Sequence, residues 1–471
     1  MQNLKVLDFK DRAYYADVFR IGLPVMLQNL IFNGLALVDN VMIGGKGDAA
    51  ISAVGVANKL SFVFALFVFG VNSGANMFCA QFWGKGDLAS VRKVLGISMR
   101  ISVAMAVPFL VVSQFMPRQF MTFFIRDPQV VEQGAAFLRI MGWSYLVQAV
   151  TSAYAIQSRG VGRTRPPFYA SAMALAVNTA LNYVLIYGRF GFPALGVRGS
   201  ALATLVARSL ELGLLLAIIY GNRYELAASW SEMGGYSKEF LRRFIKPVTP
   251  VIANEVFWSI GVSLYTFFYG MQGVQATTTA QIMEVMSNLF FSVLMGLGNS
   301  CGTMIGNRIG AQEEETARVY AKRSVLLGVF VGLVVGAILA LSAGLFLSFF
   351  DVSPGIHDAC RKAAYVYGGT MFLRSINMIV VVGVCRSAGD TVFAALIDVL
   401  TPWCIGIPMA ALGVMVLHWP IHLVILLVTL EEWVKAGLGV WRLLSGKWLN
   451  NLVRDLHGGE VETPAEAPAG S

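Results

Sequence analysis

Residues 51–87 read ISAVGVANKLSFVFALFVFGVNSGANMFCAQFWGKGD, with Lys59 the only charged residue before Lys85. A run this long and apolar exceeds the ~20 residues that a helix needs to cross a bilayer. Its hydrophobicity is continuous rather than alternating, which excludes a barrel strand. Similar runs recur outward in both directions. We read twelve spans: 17–43, 50–79, 94–116, 131–156, 168–188 and 199–220, then 247–271, 276–305, 320–350, 363–386, 391–416 and 421–445. The expected fold is therefore an all-α, polytopic membrane protein.

Composition agrees with that reading. The 471 residues are 56% hydrophobic and only 13% charged, with a mean hydropathy of +0.65. Soluble domains carry about 25% charged residues, so this chain lacks the polar surface for water. Its cysteines (79, 301, 360, 385, 404) are odd in number, scattered and never in a CxxC, which excludes a disulfide scaffold or a zinc ribbon. The opening MQNLKVLDFKDRAYYA has no apolar core and no cleavage site, so it does not read as a signal peptide.

The net charge of +9 reports topology rather than a nucleic-acid partner. With the N-terminus inside, inner segments hold 24 Lys and Arg against 7 in outer segments. That bias supports an even number of spans with both termini cytoplasmic. The closing residues, ending ETPAEAPAGS, are polar and Pro/Ala-rich, and are expected to be disordered.

The chain also repeats itself. Pro24 in GLPVMLQN matches Pro250 in VTPVIANE, 226 residues on. Gln81-Phe-Trp-Gly84 followed by Arg92 matches Asn307-Arg-Ile-Gly310 followed by Arg318 at the same shift. Arg159-x-x-Gly162-x-Thr164 matches Arg386-x-x-Gly389-x-Thr391 at 227. Six spans per repeat send both halves into the membrane in the same direction, so the repeat axis lies along the membrane normal. We expect an N-terminal lobe (1–220), a cytoplasmic connection (221–246), a C-terminal lobe (247–445) and a polar cytoplasmic tail (446–471). The substrate pathway would lie between lobes that rock.

Ionisable groups at membrane depth cost several kcal/mol and mark function by default. Asp39 lies late in span 1, Glu255 early in span 7 close behind Pro250, and Glu284 in span 8. Asn178 and Asn182, four residues apart, share one face of span 5. Asn254, Trp258, Arg374 and Asn377 are further candidates for lining a cavity. Phe32, Trp258 and Tyr265 could stack on flat or cationic substrates. Asp398, Glu211, Glu431 and Glu432 read instead as paired or interfacial groups. His418 and His422 flank Pro420 in an external turn, so a metal site is not expected there. There is no Walker A sequence, HExxH or GxSxG, and the chain is not expected to be an enzyme or to bind a cofactor.

Several stretches together resemble the bacterial multidrug and toxic compound extrusion (MATE) family. They are VDN-x-x-IG ending span 1, Gln81-x-x-Gly-x-x-Asp after span 2, NYVLIYGRFGFPALGVRGSALAT (182–204) and CRSAGDT (385–391). The resemblance covers the whole chain. It implies export of organic-cation or other amphipathic small molecules from a bacterial inner membrane, in exchange for H+ or Na+, by a protein functional as a monomer among membrane lipids. Carried over by position, Asp39 matches the acid of the N-terminal lobe and Glu255 that of the C-terminal cation site. Asn178 matches an Asn of span 5, while Asn182 stands where some archaeal relatives have Asp. The span-10 position that is Asp in Na+-coupled members is Ser375 here, flanked by Arg374 and Asn377. One carboxylate fewer favours H+ coupling through Asp39 and Glu255, unless Glu284 substitutes and Na+ binds at Glu255. The alternative reading is a lipid-linked oligosaccharide flippase, which would need a more cationic cavity.

Overall fold

The structure, a computed structural model, describes residues 11–348 and 352–454; within span 1 the side chains of 35–38, 40 and 41 are not described. Helices account for every span. In the first lobe they are span 1 (Arg12–Gly44), span 2 (Asp48–Lys85), span 3 (Leu88–Phe115), span 4 (Pro128–Gly160), span 5 (Arg165–Tyr187) and span 6 (Val197–Gly221). In the second they are span 7 (Lys238–Met271), span 8 (Val274–Gly310), span 9 (Glu314–Leu347), span 10 (Pro354–Arg386) and span 11 (Thr391–Val416). Span 12 is broken at Thr429 into Ile421–Val428 and Leu430–Ser445. Nine of these, counted over the described residues, are long and apolar enough to cross a membrane by themselves. Span 12 is not among them, because neither of its pieces has the length.

Two spans depart from α-helical winding. Span 10 becomes π-helical from Met378 to Arg386, and span 11 does so at Pro402–Gly406 and Leu412–Val416. In span 11 Pro402 and Pro408 remove backbone donors, which releases carbonyls from the regular ladder. Such wide turns are rare and tend to sit at functional sites.

We call the end holding residues 12 and 454 the lower end. There the two lobes share their cores. Tyr14, Val18 and Ile21 of span 1 are buried in a cluster built from spans 8 to 12 and Trp448. Phe240, Phe244 and Val248 of span 7 are buried with the lower ends of spans 2, 3 and 4. In the upper half the clusters separate. One draws its buried residues only from spans 1–6 and the helix Pro117–Phe124, the other only from spans 7–12. The molecule is thus sealed below and divided above.

The seal has the symmetry of the repeat. A Cβ on Gly84 would collide with the backbone of Asn307, and one on Gly310 with the backbone of Gln81. Both glycines let spans 2 and 8 cross at backbone distance, which no larger residue allows. Gln81 and Asn307 are repeat partners, as are Gly84 and Gly310, so each lobe offers the other the same surface.

One sequence expectation is corrected here. The tail does not loosen at residue 446. Trp448 is buried, and its indole N–H donates to the Leu443 carbonyl at 3.1 Å. Beyond it the chain lies across both lobes. The Leu452 amide donates to Gln81 Oε1 (2.8 Å), Lys85 donates to the Val453 carbonyl (2.9 Å) and Asn451 donates to the Ile309 carbonyl (3.0 Å). A single aromatic anchor outweighs the polar composition that suggested disorder. The tail beyond residue 454, like residues 1–10, lies outside the described residues.

Span 1 begins with a second lower-end tie. Asp11 caps the helix by accepting from the Tyr14 amide (3.1 Å) and pairs with Arg323 of span 9 at 2.7 Å. The Arg323 guanidinium holds the Asp11 carboxyl below its ordinary 3.8. Its contribution is therefore complete above about pH 4 and fades as the pH falls through the lowered value. Replacing Asp11 with Ala removes cap and ion pair together. Unfolding of the detergent-solubilised protein should show a loss of about 1–2 kcal/mol at neutral pH, shrinking in acid.

Candidate functional site

In the first lobe, spans 1, 5 and 6 converge on one buried polar chain. The Asn182 amide donates to Asp39 and, at 3.0 Å, to Asn178 Oδ1. Asn178 donates to the Thr204 hydroxyl (3.3 Å), which in turn donates to the Ser200 carbonyl (3.0 Å). Asn178 and Asn182 are both fully buried, and their i, i+4 spacing is what aims them together. Among the described residues no cation lies within ion-pair distance of Asp39.

A second chain in this lobe runs below it. Arg159 donates to Gln28 (2.9 Å), Gln28 to Ser171 (3.3 Å) and Ser171 to Glu211 (2.5 Å), while Arg208 pairs with Glu211 at 3.0 Å. The Arg208 guanidinium lies over the Phe32 ring at 5.4 Å. Glu211 is thus a paired carboxylate, as its sequence context suggests. Arg208, which the sequence reading left unassigned, supplies its charge.

The second lobe is more heavily charged. Glu255 of span 7 pairs with Arg386 at 3.0 Å, and the same guanidinium nitrogen donates to Ser73 of span 2 at 3.1 Å. Arg386 is the repeat partner of Arg159, and both reach back to a polar residue just behind a proline inside the first helix of the lobe. In the first lobe that residue is the neutral Gln28; in the second it is an acid. Glu255 and Arg386 are both buried, so removing one partner strands the other charge.

Replacing Arg386 with Gln should therefore cost about 3–5 kcal/mol. The double variant with Glu255→Gln should recover most of it. Thermal unfolding of the four proteins in one detergent checks this, and a double variant no better than the single would contradict it.

Further out, Lys435 of span 12 pairs with Asp398 of span 11 at 2.9 Å, and Asn254 donates to the same carboxylate at 3.0 Å. Asn377 donates to Glu432 at 2.6 Å, and Arg374 lies 3.9 Å from it. Arg374 also covers the Tyr367 ring at 4.7 Å. Glu431, buried beside them, accepts the hydroxyl of Tyr265.

Of the residues singled out in the sequence, Asp39 and Asn178 are linked through Asn182, and Arg374 and Asn377 meet on Glu432. Asn254 and Glu255, adjacent in sequence, bind different partners. Glu284 and Trp258 join none of these contacts, and Glu284 is exposed. Ser375, in place of a span-10 acid, is fully buried, and its hydroxyl has no partner among the described residues. The sequence reading missed Arg386 and Lys435 as site residues, although an Arg and a Lys within apolar spans are themselves a signal. No group of three or more metal-ligating side chains occurs among the described residues.

A family model described as MatE matches residues 24–184 and 250–412, one copy per lobe, starting at Pro24 and Pro250. The chain belongs to the MATE family. Among curated relatives, the Bacillus subtilis "Uncharacterized transporter YisQ" is 24% identical over 438 residues, covering 92% of this chain and 94% of its own. A Thermotoga maritima protein named "Probable multidrug resistance protein NorM" is 23% identical over 446 residues, 92% of each chain. Among solved structures, the Vibrio cholerae MATE transporter VcmN superposes with a TM-score of 0.83 at 15% identity, over 92% of this MATE chain and 98% of its own. An outward-facing conformation of a multidrug resistance MATE family transporter gives 0.82 at 16% identity, over 92% and 96%. At such identities the structures establish the fold alone: twelve helices in two lobes.

Proposed function

We propose that this multi-pass MATE transporter exports amphipathic or cationic small molecules in exchange for an inward-moving cation, with the lower end in the cytoplasm. The observation that carries the reading is Asp39. It is a carboxylate at membrane depth, held by the buried Asn182 amide and, among the described residues, by no ion pair, in a molecule whose lobes share cores below it and have separate cores above. In this state a cation or proton arriving from outside can neutralise Asp39. The loaded lobes then rock so that the Gly84–Gly310 crossing parts, and release it inside. The curated relative named as a multidrug resistance protein supports the substrate class.

Glu255 has a different place in this scheme. Already neutralised by Arg386, it ties span 7 to span 10 and, through Ser73, to the first lobe. A pair whose arginine also reaches across to the first lobe is suited to switching with conformation rather than to free cation capture. Na+ binding there would require Arg386 to leave.

In a bacterium lacking its own exporters, expression should lower ethidium accumulation, and an ionophore that collapses the proton gradient should restore it. Unchanged accumulation, with the protein present in the membrane, would count against export of this substrate class.

A further inference from the structure

We propose that the C-terminal lobe carries its exchanged proton on Glu431 of span 12. The proposal rests on the antiporter reading for the direction of flux, but the site stands on its own geometry. Three cations lie at membrane depth in this lobe, and each is engaged by another carboxylate: Arg386 by Glu255 at 3.0 Å, Lys435 by Asp398 at 2.9 Å, Arg374 by Glu432 at 3.9 Å. Glu431 is 7% exposed and takes part in none of these pairs. Its one hydrogen bond among the described residues comes from the Tyr265 hydroxyl. A buried ionised carboxylate whose one hydrogen bond comes from a phenol, and whose neighbouring cations are engaged by other acids, is costly; a neutral carboxylic acid is less so.

The pocket is shaped for this pair. Span 11 turns π-helical at Pro402–Gly406, and a Cβ on Gly406 would collide with both the Tyr265 hydroxyl and the Glu431 carboxylate. Only glycine leaves room there. Around Glu431, span 7 presents Tyr265 and Tyr269, span 10 presents Tyr367 and Arg374, and its own helix presents Glu432 and Lys435. Span 11 contributes Asp398, already held by Lys435.

Two features point to exchange rather than a sealed structural acid. Arg374, one-quarter exposed at its side chain, leaves the cluster incompletely covered by protein. Asn377, 6% exposed, donates to Glu432 while its carbonyl oxygen has no partner among the described residues. A proton from external water adds to Oε1 of Glu431, because Tyr265 already occupies Oε2. It passes to a water molecule, leaving as hydronium, when the lobes expose the cluster to the other side.

Infrared difference spectroscopy of the reconstituted protein tests this directly. The wild type should show the C=O stretch of a neutral carboxylic acid at neutral pH, titrating away as the pH rises. Glu431→Gln should remove that band, and Glu255→Gln should keep it. Proton-driven ethidium transport by Glu431→Gln should fall to the rate of protein-free liposomes, while ethidium counterflow persists. If Glu431→Gln does not fold, Tyr265→Phe should shift the band by removing its hydrogen-bond donor. A band unchanged in Glu431→Gln, or in Tyr265→Phe where only that variant folds, overturns the proposal, as does wild-type proton-driven transport by Glu431→Gln. A band that vanishes in Glu431→Gln while the wild type transports nothing under a gradient upholds the proton site and refutes the antiporter reading instead.

Discussion

Asp39→Asn should abolish gradient-driven export while leaving the protein folded. Asparagine keeps the size of the side chain and still accepts from Asn182, so the buried chain through Asn178 and Thr204 stays in place. What it removes is the negative charge that a proton or cation can neutralise. The expected loss in initial rate is more than about tenfold, the factor that ~1.4 kcal/mol produces. Ethidium counterflow, which needs no gradient, should remain. Asp39→Glu, which restores the charge, should restore part of the gradient-driven rate. Loss of counterflow together with driven export would instead make Asp39 a structural residue.

The second large effect concerns the seal. Gly84→Leu forces a side chain into the backbone of Asn307, and Gly310→Leu does the same to Gln81. Overpacking alone costs about 1–3 kcal/mol, and a backbone that cannot yield adds to that. The sealed state becomes the less stable one, while states with parted lower ends lose nothing. Spin labels at Ala89→Cys and Glu314→Cys, both on exposed lower-end positions, report the separation by pulsed EPR once the exposed Cys404 is replaced by Ser. The distance between labels should increase in either glycine variant, and transport should stop. An unchanged distance would mean that the crossing is not the contact that closes the lower end.

Much of the fold was legible because a membrane simplifies the code. Apolar runs mark spans, Lys and Arg mark sides, and the prolines at 24 and 250 mark the repeat. Asp39, Asn178 and Asn182 were legible for a related reason. Two amides one helical turn apart must point the same way, and one late acid on span 1 faces them.

The second lobe resisted because its partners are scattered over four spans. Arg386, which meets Glu255, ends the π-helical stretch of span 10, and nothing in the apolar run MIVVVGVC (378–385) announces that winding. Glu431 and Glu432 were read as paired groups from their sequence alone. The structure separates them, giving Glu432 an arginine and Glu431 only a tyrosine. Likewise, composition placed the start of a loose tail at residue 446, whereas Trp448 finds a buried seat that composition cannot show.

The central claim is that export is driven by cation entry through these carboxylates. Purified protein in liposomes, with a proton gradient and a Na+ gradient imposed separately, tests it most directly. The account predicts ethidium transport under the proton gradient alone, absent in Asp39→Asn. Transport under neither gradient, from protein that still binds ethidium, would contradict it.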